Sequence, residues 1–137
     1  MKDLKKSVEI FNEYLSEKSA NYLQSANDKK AKGEQYEHVL DKIRFNVVSI
    51  FTQLFNTAIK QIEKKDGPVL RIYSENENNP NKQIENVFMG LLKKISGQWA
   101  LSLEEAKKHN DTDTITKENA KIEVANQLLA KFDGIFG

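Results

Sequence analysis

The sequence predicts an all-α protein: a four-helix bundle-like single domain over residues 1–137, with a long central second helix at about 34–66 and an irregular or extended segment at 67–80. Three observations carry this. Apolar residues recur at spacings of three and four through four long stretches, the period of a helix face and not of a strand. The strongest punctuation, Gly33, Asp66-Gly67-Pro68 and Pro80, falls between those stretches, where helices must stop and start. At 39% hydrophobic and 30% charged, 137 residues can bury one core and still present a polar surface.

The first helix is expected from Lys2 to about Ala31. Leu4, Val8, Phe11, Leu15, Tyr22 and Ala26 form one narrow stripe, interrupted by Lys18. The polar run from Ser25 to Lys32 and then Gly33 read as the turn, and the lysines there suit a helix C-terminus.

The second helix is apolar over an unusually wide arc. One seam runs Leu40, Ile43, Val47, Ile50, Leu54. A second runs Phe45, Val48, Phe55, Ile59, Ile62, with Phe51 and Ala58 between them. At about 100° per residue the combined face exceeds roughly 200°. Such a helix must be covered from more than one side, which makes it the central member. The first seam is expected to be core. Lys64 and Lys65 fill the last turn, Gly67 is expected to take the left-handed cap, and Pro68 ends the helix.

Val69 to Tyr73 has the β-branched and aromatic bias of a strand, and is expected as an extended segment laid across the helices or paired with its own copy. Ser74 to Lys82 is polar loop. The third helix starts around Pro80 to Gln83 and runs to about His109, with Ile84, Phe88, Leu91, Leu92, Ile95 and Trp99 as its stripe. Gly90 and Gly97, seven apart on the opposite side, and a capping-box pairing of Ser102 with Glu105 raise a break at Gly97; a continuous or merely kinked helix is the favoured reading. With the off-stripe Leu101 they also suggest a shallow groove where another helix approaches. The fourth helix begins near Thr114 or Thr116 and buries Ile122, Ala125, Leu128, Leu129, Phe132 and Phe136. Gly134 followed by Ile135 reads as its C-cap.

Composition excludes several classes of function. The chain balances 21 basic against 20 acidic residues, a net charge of +1, and so lacks the field that draws nucleic acid or acidic membranes. With no cysteine, disulfides, thiolate catalysis and Cys-based zinc sites are ruled out. The N-terminus has no continuous apolar stretch of a secretory signal, and no segment approaches the roughly 18–20 apolar residues of a membrane span. There is no Gly-x-Ser-x-Gly elbow, no recognisable Ser/His/Asp arrangement and no glycine-rich phosphate loop.

Four features remain as site candidates. Glu34 with His38 and Glu105 with His109 share helix faces at a spacing of four and could meet in an up-down bundle, but His38 points away from the first seam, Glu34 lies at its edge, and the inward-facing Glu-x-x-His pattern of metal bundles is absent, so they read as solvated helix-end residues and no metal or cofactor is expected. The recurrent lysine pairs, interleaved with acids, read as solvated surface. Arg44 is one of only two arginines and lies by phase between the two seams. It is expected to pair with Glu17, or with Glu104 or Glu105, as a pin for helix register or as an anchor for a partner. Phe45, Val48 and Ile59 of the second seam are either covered by the chain itself or form an exposed interface patch.

These features point to a non-enzymatic, cytoplasmic helical protein that binds another protein, or a second copy of itself as a homodimer, through the second helix at Phe45, Val48, Ile59 and Arg44. Proteins of adaptor, immunity, chaperone or effector type share this architecture, an analogy only. A helical-bundle carrier or enzyme with a metal or small ligand in its core, in a pocket lined by Trp99, Arg44 and Tyr22, is the alternative. Weak nucleic-acid binding comes third, with the charge balance against it.

Overall fold

The computed structural model describes residues 3–137, and the described chain is helical from end to end apart from short connections. Its elements are α1 (Leu4–Ala31), α2 (Gln35–Lys64), α3 (Pro68–Ser74), α4 (Pro80–Lys108) and α5 (Thr112–Phe136). The start of the first helix expected at Lys2 lies outside the described residues. Asp3 caps α1 by accepting from the Lys5 amide at 3.1 Å. Gly33, at φ 76°, makes the left-handed turn between α1 and α2.

At the end of α2 the expected cap moves. Lys65, not Gly67, adopts the left-handed conformation, at φ 59° and ψ 27°, and its amide bonds back to Ile62 at 3.1 Å. Gly67 is needed for a different reason. It sits at φ 146° and ψ 156°, a region open essentially to glycine alone, and a Cβ there would run into the Gln61 side chain. That Gln61 carboxamide is committed elsewhere: its Oε1 accepts from the Leu70 amide at 3.0 Å, satisfying a free donor at the start of α3.

The extended segment expected at Val69–Tyr73 is corrected to helix. Pro68 stands in the first turn, where its missing N–H costs nothing. Leu70 and Tyr73, three apart, turn inward together: Leu70 is buried, and the Tyr73 ring lies on Gly90 of α4. Side-chain bias suggested a strand, but the burial period is helical. Buried Ser74 closes the element by accepting from Asn86 Nδ2 at 3.1 Å.

Helix α4 opens on Asn79, whose side chain accepts from the Asn81 amide at 3.0 Å. It continues unbroken through Gly97, in keeping with the favoured reading. Asp111 caps α5 by accepting from the Thr114 amide at 3.1 Å, so α5 starts at Thr112, two residues before the earliest expected start. Gly134 is not a cap: the helix runs through it to Phe136.

The four long helices run up-down-up-down, as contacts between chain-distant residues show. Phe11 of α1 meets Phe55 of α2, Phe51 meets Trp99 of α4, and Phe88 of α4 meets Phe132 of α5. Helix α2 touches all four others, so it is central. Its two seams turn out to be the edges of one face. Phe51 and Ala58 between them, together with Phe55 and Ile62 of the second seam, are buried at 5% exposure or less, whereas Ile50 of the supposed core seam is 40% exposed. The expectation that the first seam is core throughout is therefore corrected. Wide coverage follows from having neighbours on both flanks, not from two separate interfaces.

The core is asymmetric along the bundle axis. At the end holding the N-terminus of α1 and the C-terminus of α5, Phe11 packs edge-on against Phe55, Phe88 and Phe132 at centroid separations of 4.8, 5.6 and 5.5 Å. Phe132 also stacks between Phe88 and Phe136, each at 4.5 Å. Such pairs add about 0.5–1.5 kcal/mol each to what area burial contributes. The opposite end, by contrast, carries buried charge.

Candidate functional site

Asp41 is one of the two buried carboxylates among the described residues, the other being Glu118 of α5; it lies on the phase of the second seam and is 3% exposed. A carboxylate taken out of water at this depth must have donors. Ser25 Oγ donates to Oδ2 at 2.5 Å and Lys29 Nζ at 2.8 Å, both from α1, while Arg44 donates to Oδ1 at 2.8 Å from one turn further along α2. Burial pushes the Asp41 carboxyl up, but the hydrogen bonds from Lys29, Ser25 and Arg44 and the Lys29 charge outweigh it, so the pKa falls below the ordinary carboxylate value. The cluster clamps the start of α2 to the end of α1. Next to it, His38 donates from Nδ1 to the Ala26 carbonyl at 2.7 Å, a second tie between the same two helices.

Arg44 is thus placed, but not where expected. Its ion-pair partner is Asp41 in its own helix, not Glu17 and not Glu104 or Glu105. Arg44 steadies the carboxylate that binds α1; the bridge itself is made by Lys29 and Ser25. Its charge also reaches Tyr22, whose hydroxyl donates to Gln127 Oε1 of α5 at 3.3 Å. Burial raises the Tyr22 pKa, partly countered by Arg44.

Phe45, Val48 and Ile59 fare differently from one another. Val48 is fully buried and Ile59 is 8% exposed, both covered by the chain's own helices. Neither presents surface to a partner, so that part of the expected patch is closed. Phe45 is half-buried. It lines a groove of about 510 Å³ between α1 and α2, with Leu15, Ala20 and Leu23 as the other apolar residues. The walls are hydroxyls and amides, including Asn12, Ser16, Ser19 and Gln53. Two of the hydroxyls are already committed: Ser49 Oγ donates to the Phe45 carbonyl at 3.1 Å and Thr52 Oγ1 to that of Val48 at 2.7 Å. They offer lone pairs and methyl or methylene surface to anything in the groove. Among the described residues, no charged side chain lines it. The Lys42 ammonium lies 5.3 Å from the Phe45 ring centroid, at the rim.

The alternative constellations are not assembled. His109 pairs with Glu105 at 2.9 Å on the exposed end of α4, while His38 is turned toward Ala26, so the two Glu/His pairs do not converge. Among the described residues no group of three or more histidines and acids is placed to hold a metal ion. Trp99, Arg44 and Tyr22 are engaged separately: Trp99 edge-on to Phe51 at 6.1 Å, Arg44 on Asp41, Tyr22 on Gln127. A second hollow, of about 450 Å³, sits beside α3 and mixes Lys65 and Arg71 with Asp66, Glu75 and Glu77. Arg71 and Asp66 already neutralise each other there.

Two features escaped the sequence reading. Asp41 was legible by phase, four before Phe45 and seven before Val48, yet a lone acid on an apolar face carries no motif. The groove has no linear signature, because half of it comes from α1 residues on the outer side of their stripe. Among the described residues, no helix is long and apolar enough to cross a membrane. No family model, no curated protein and no solved structure matches the chain.

Proposed function

We infer that this is a non-enzymatic protein-interaction module whose binding surface is the α1–α2 groove around Phe45. One observation carries the reading. Six of the seven phenylalanines are buried at 5% exposure or less, and the seventh, Phe45, opens into a groove. A half-buried phenylalanine beside the exposed Leu23 in an uncharged groove is apolar surface that a partner can cover. The groove suits a helix presenting small or apolar side chains: it is long, shallow, uncharged and walled by Ser16, Ser19 and Ala20, which let another backbone approach. The absence of cysteine from the sequence supports a reducing, cytoplasmic setting.

Selection from a phage-displayed library of amphipathic helices tests this. Binders chosen on the native protein are expected to lose binding to Ala20→Arg, which fills the groove from an exposed helix position without touching the core. Binders that keep full affinity for Ala20→Arg would place the adhesive surface elsewhere and refute the reading.

A further inference from the structure

We propose that the α1–α2 face around the groove is covered by the same face of a second copy of this chain, in a two-fold dimer whose axis runs along the groove, parallel to the helices. The proposal rests on the groove being the binding surface and adds its occupant. Rotation about such an axis preserves height along the bundle and carries α1 of one copy over α2 of the other. Each residue of the incoming α1 therefore arrives level with the α2 residues that its own intramolecular neighbour already faces. The internal register is fixed by Phe11 against Phe55 and Ser25 against Asp41. It puts Leu23 within a turn of Phe45 and Glu9 within a turn of Lys60.

Three properties fit this arrangement. Leu23, 37% exposed, is the one large aliphatic that protrudes at the groove's own rim, a knob for the hollow beside the other copy's Phe45. Ser16, Ser19 and Ala20 keep α1 slim along the same side, so two copies of the helix pair can close on each other. One charge pair is complementary in this register: Glu9 on the outer rim of α1 comes within a turn of Lys60 on the outer rim of the other copy's α2. Among the described residues, Glu9, Glu13 and Lys60 form no ion pair within the chain, whereas Lys29, Lys82, Lys107, Lys117 and Lys121 do. Two-fold symmetry supplies the Glu9–Lys60 pair twice. A contact from Glu9 to Leu23 is roughly 21 Å long at the helical rise, and two helices wide it buries roughly 800–1,000 Å² in total, below the usual range for stable complexes. The dimer is accordingly weak and concentration-dependent.

Sedimentation velocity on the full chain, across a concentration series spanning the micromolar range, is the test. The native protein is expected to shift from monomer to dimer, and Leu23→Glu to stay monomeric. Glu9→Lys alone and Lys60→Glu alone each turn two attractive pairs repulsive and weaken association by roughly five- to tenfold. An equimolar mixture of those two variants recovers native affinity, because each chain then meets its opposite charge. All three positions are on the surface, so unchanged thermal melts confirm that the variants fold. A native protein monomeric throughout, a dimer indifferent to Leu23→Glu, or a mixture no tighter than its components overturns the proposal. Library binders that require an open groove would uphold the groove reading even then, so the two failures are distinguishable.

Discussion

Replacing Asp41 should expose how far one buried carboxylate holds the polar end of the bundle together. Its side chain is 4% exposed, while those of Lys29 and Arg44 keep 29% and 25%. Breaking a fully buried pair costs about 3–5 kcal/mol because the orphaned charge stays dry. Here both cations can rehydrate, so Asp41→Ala is expected to cost about 2–3 kcal/mol. For a chain of this length that lowers Tm by roughly 6–10 °C. Asp41→Asn keeps the shape but sets an amide donor against two cations, and should cost about 1–2 kcal/mol at neutral pH. The pH dependence supplies the sharper test. The folded-state pKa is depressed, so the stabilisation is complete above the unfolded value of about 3.9 and is lost as pH falls through the lower folded value. Urea unfolding of native and Asp41→Asn protein in parallel isolates this contribution, because the other carboxylates are common to both. The gap between them should be full at pH 7 and shrink in acid. An Asp41→Asn variant as stable as native at pH 7, or a gap unchanged well below the ordinary carboxylate pKa, would refute the argument.

The two glycines of α4 should behave oppositely although they lie on the same side of the helix. Gly97 has open space around a would-be Cβ, so Gly97→Ala should stabilise by about 0.5–1 kcal/mol, visible as a higher urea midpoint at unchanged slope. At Gly90 a Cβ would be driven into the Tyr73 ring, so Gly90→Ala should destabilise by about 1–3 kcal/mol. Most of that loss should vanish when the same change is made in a Tyr73→Ala background, and a double-mutant cycle measures the difference.

Much of the fold was legible because the long helices are periodic and their ends are punctuated. What was lost follows from specific physical gaps. Val69–Tyr73 is short enough for β-branched composition to outweigh its period, and its helicity depends on partners sequence cannot supply: the Gln61 carboxamide at one end and Gly90 under Tyr73 at the other. Missing that helix also hid the reason for Gly90, which then looked equivalent to Gly97. The two seams of α2 were real, but a helical wheel gives the width of an apolar face and not its centre. The centre is set by which helices flank it, so Ile50, which the wheel assigns to the core, is 40% exposed. At the candidate site, Phe45 is placed where a partner can reach it, whereas Val48 and Ile59 face inward with the same side-chain chemistry. Phase distinguishes them only once the neighbours are known.

The clamp and the groove are linked through α1 and α2. The groove lies between two fixings of the same helix pair: Phe11 on Phe55 toward one end, and Ser25 with Lys29 on Asp41 toward the other. Leu23 is two residues from Ser25, and Phe45 is one turn from Asp41. The spacing of the walls around Phe45 is therefore set at the clamp end by a charge-assisted network and at the far end by ring packing. Directional hydrogen bonds to a fixed carboxylate resist sliding of one helix along the other, which apolar packing alone resists less. This gives the buried Asp41 a role beyond net stability, one that an apolar replacement would not reproduce. A chain carrying Asp41→Leu could recover part of the lost free energy by burying more hydrocarbon, yet would leave the register of α1 on α2 held at one end only. If the groove is the binding surface, binding there is expected to weaken in Asp41→Leu even where stability is retained.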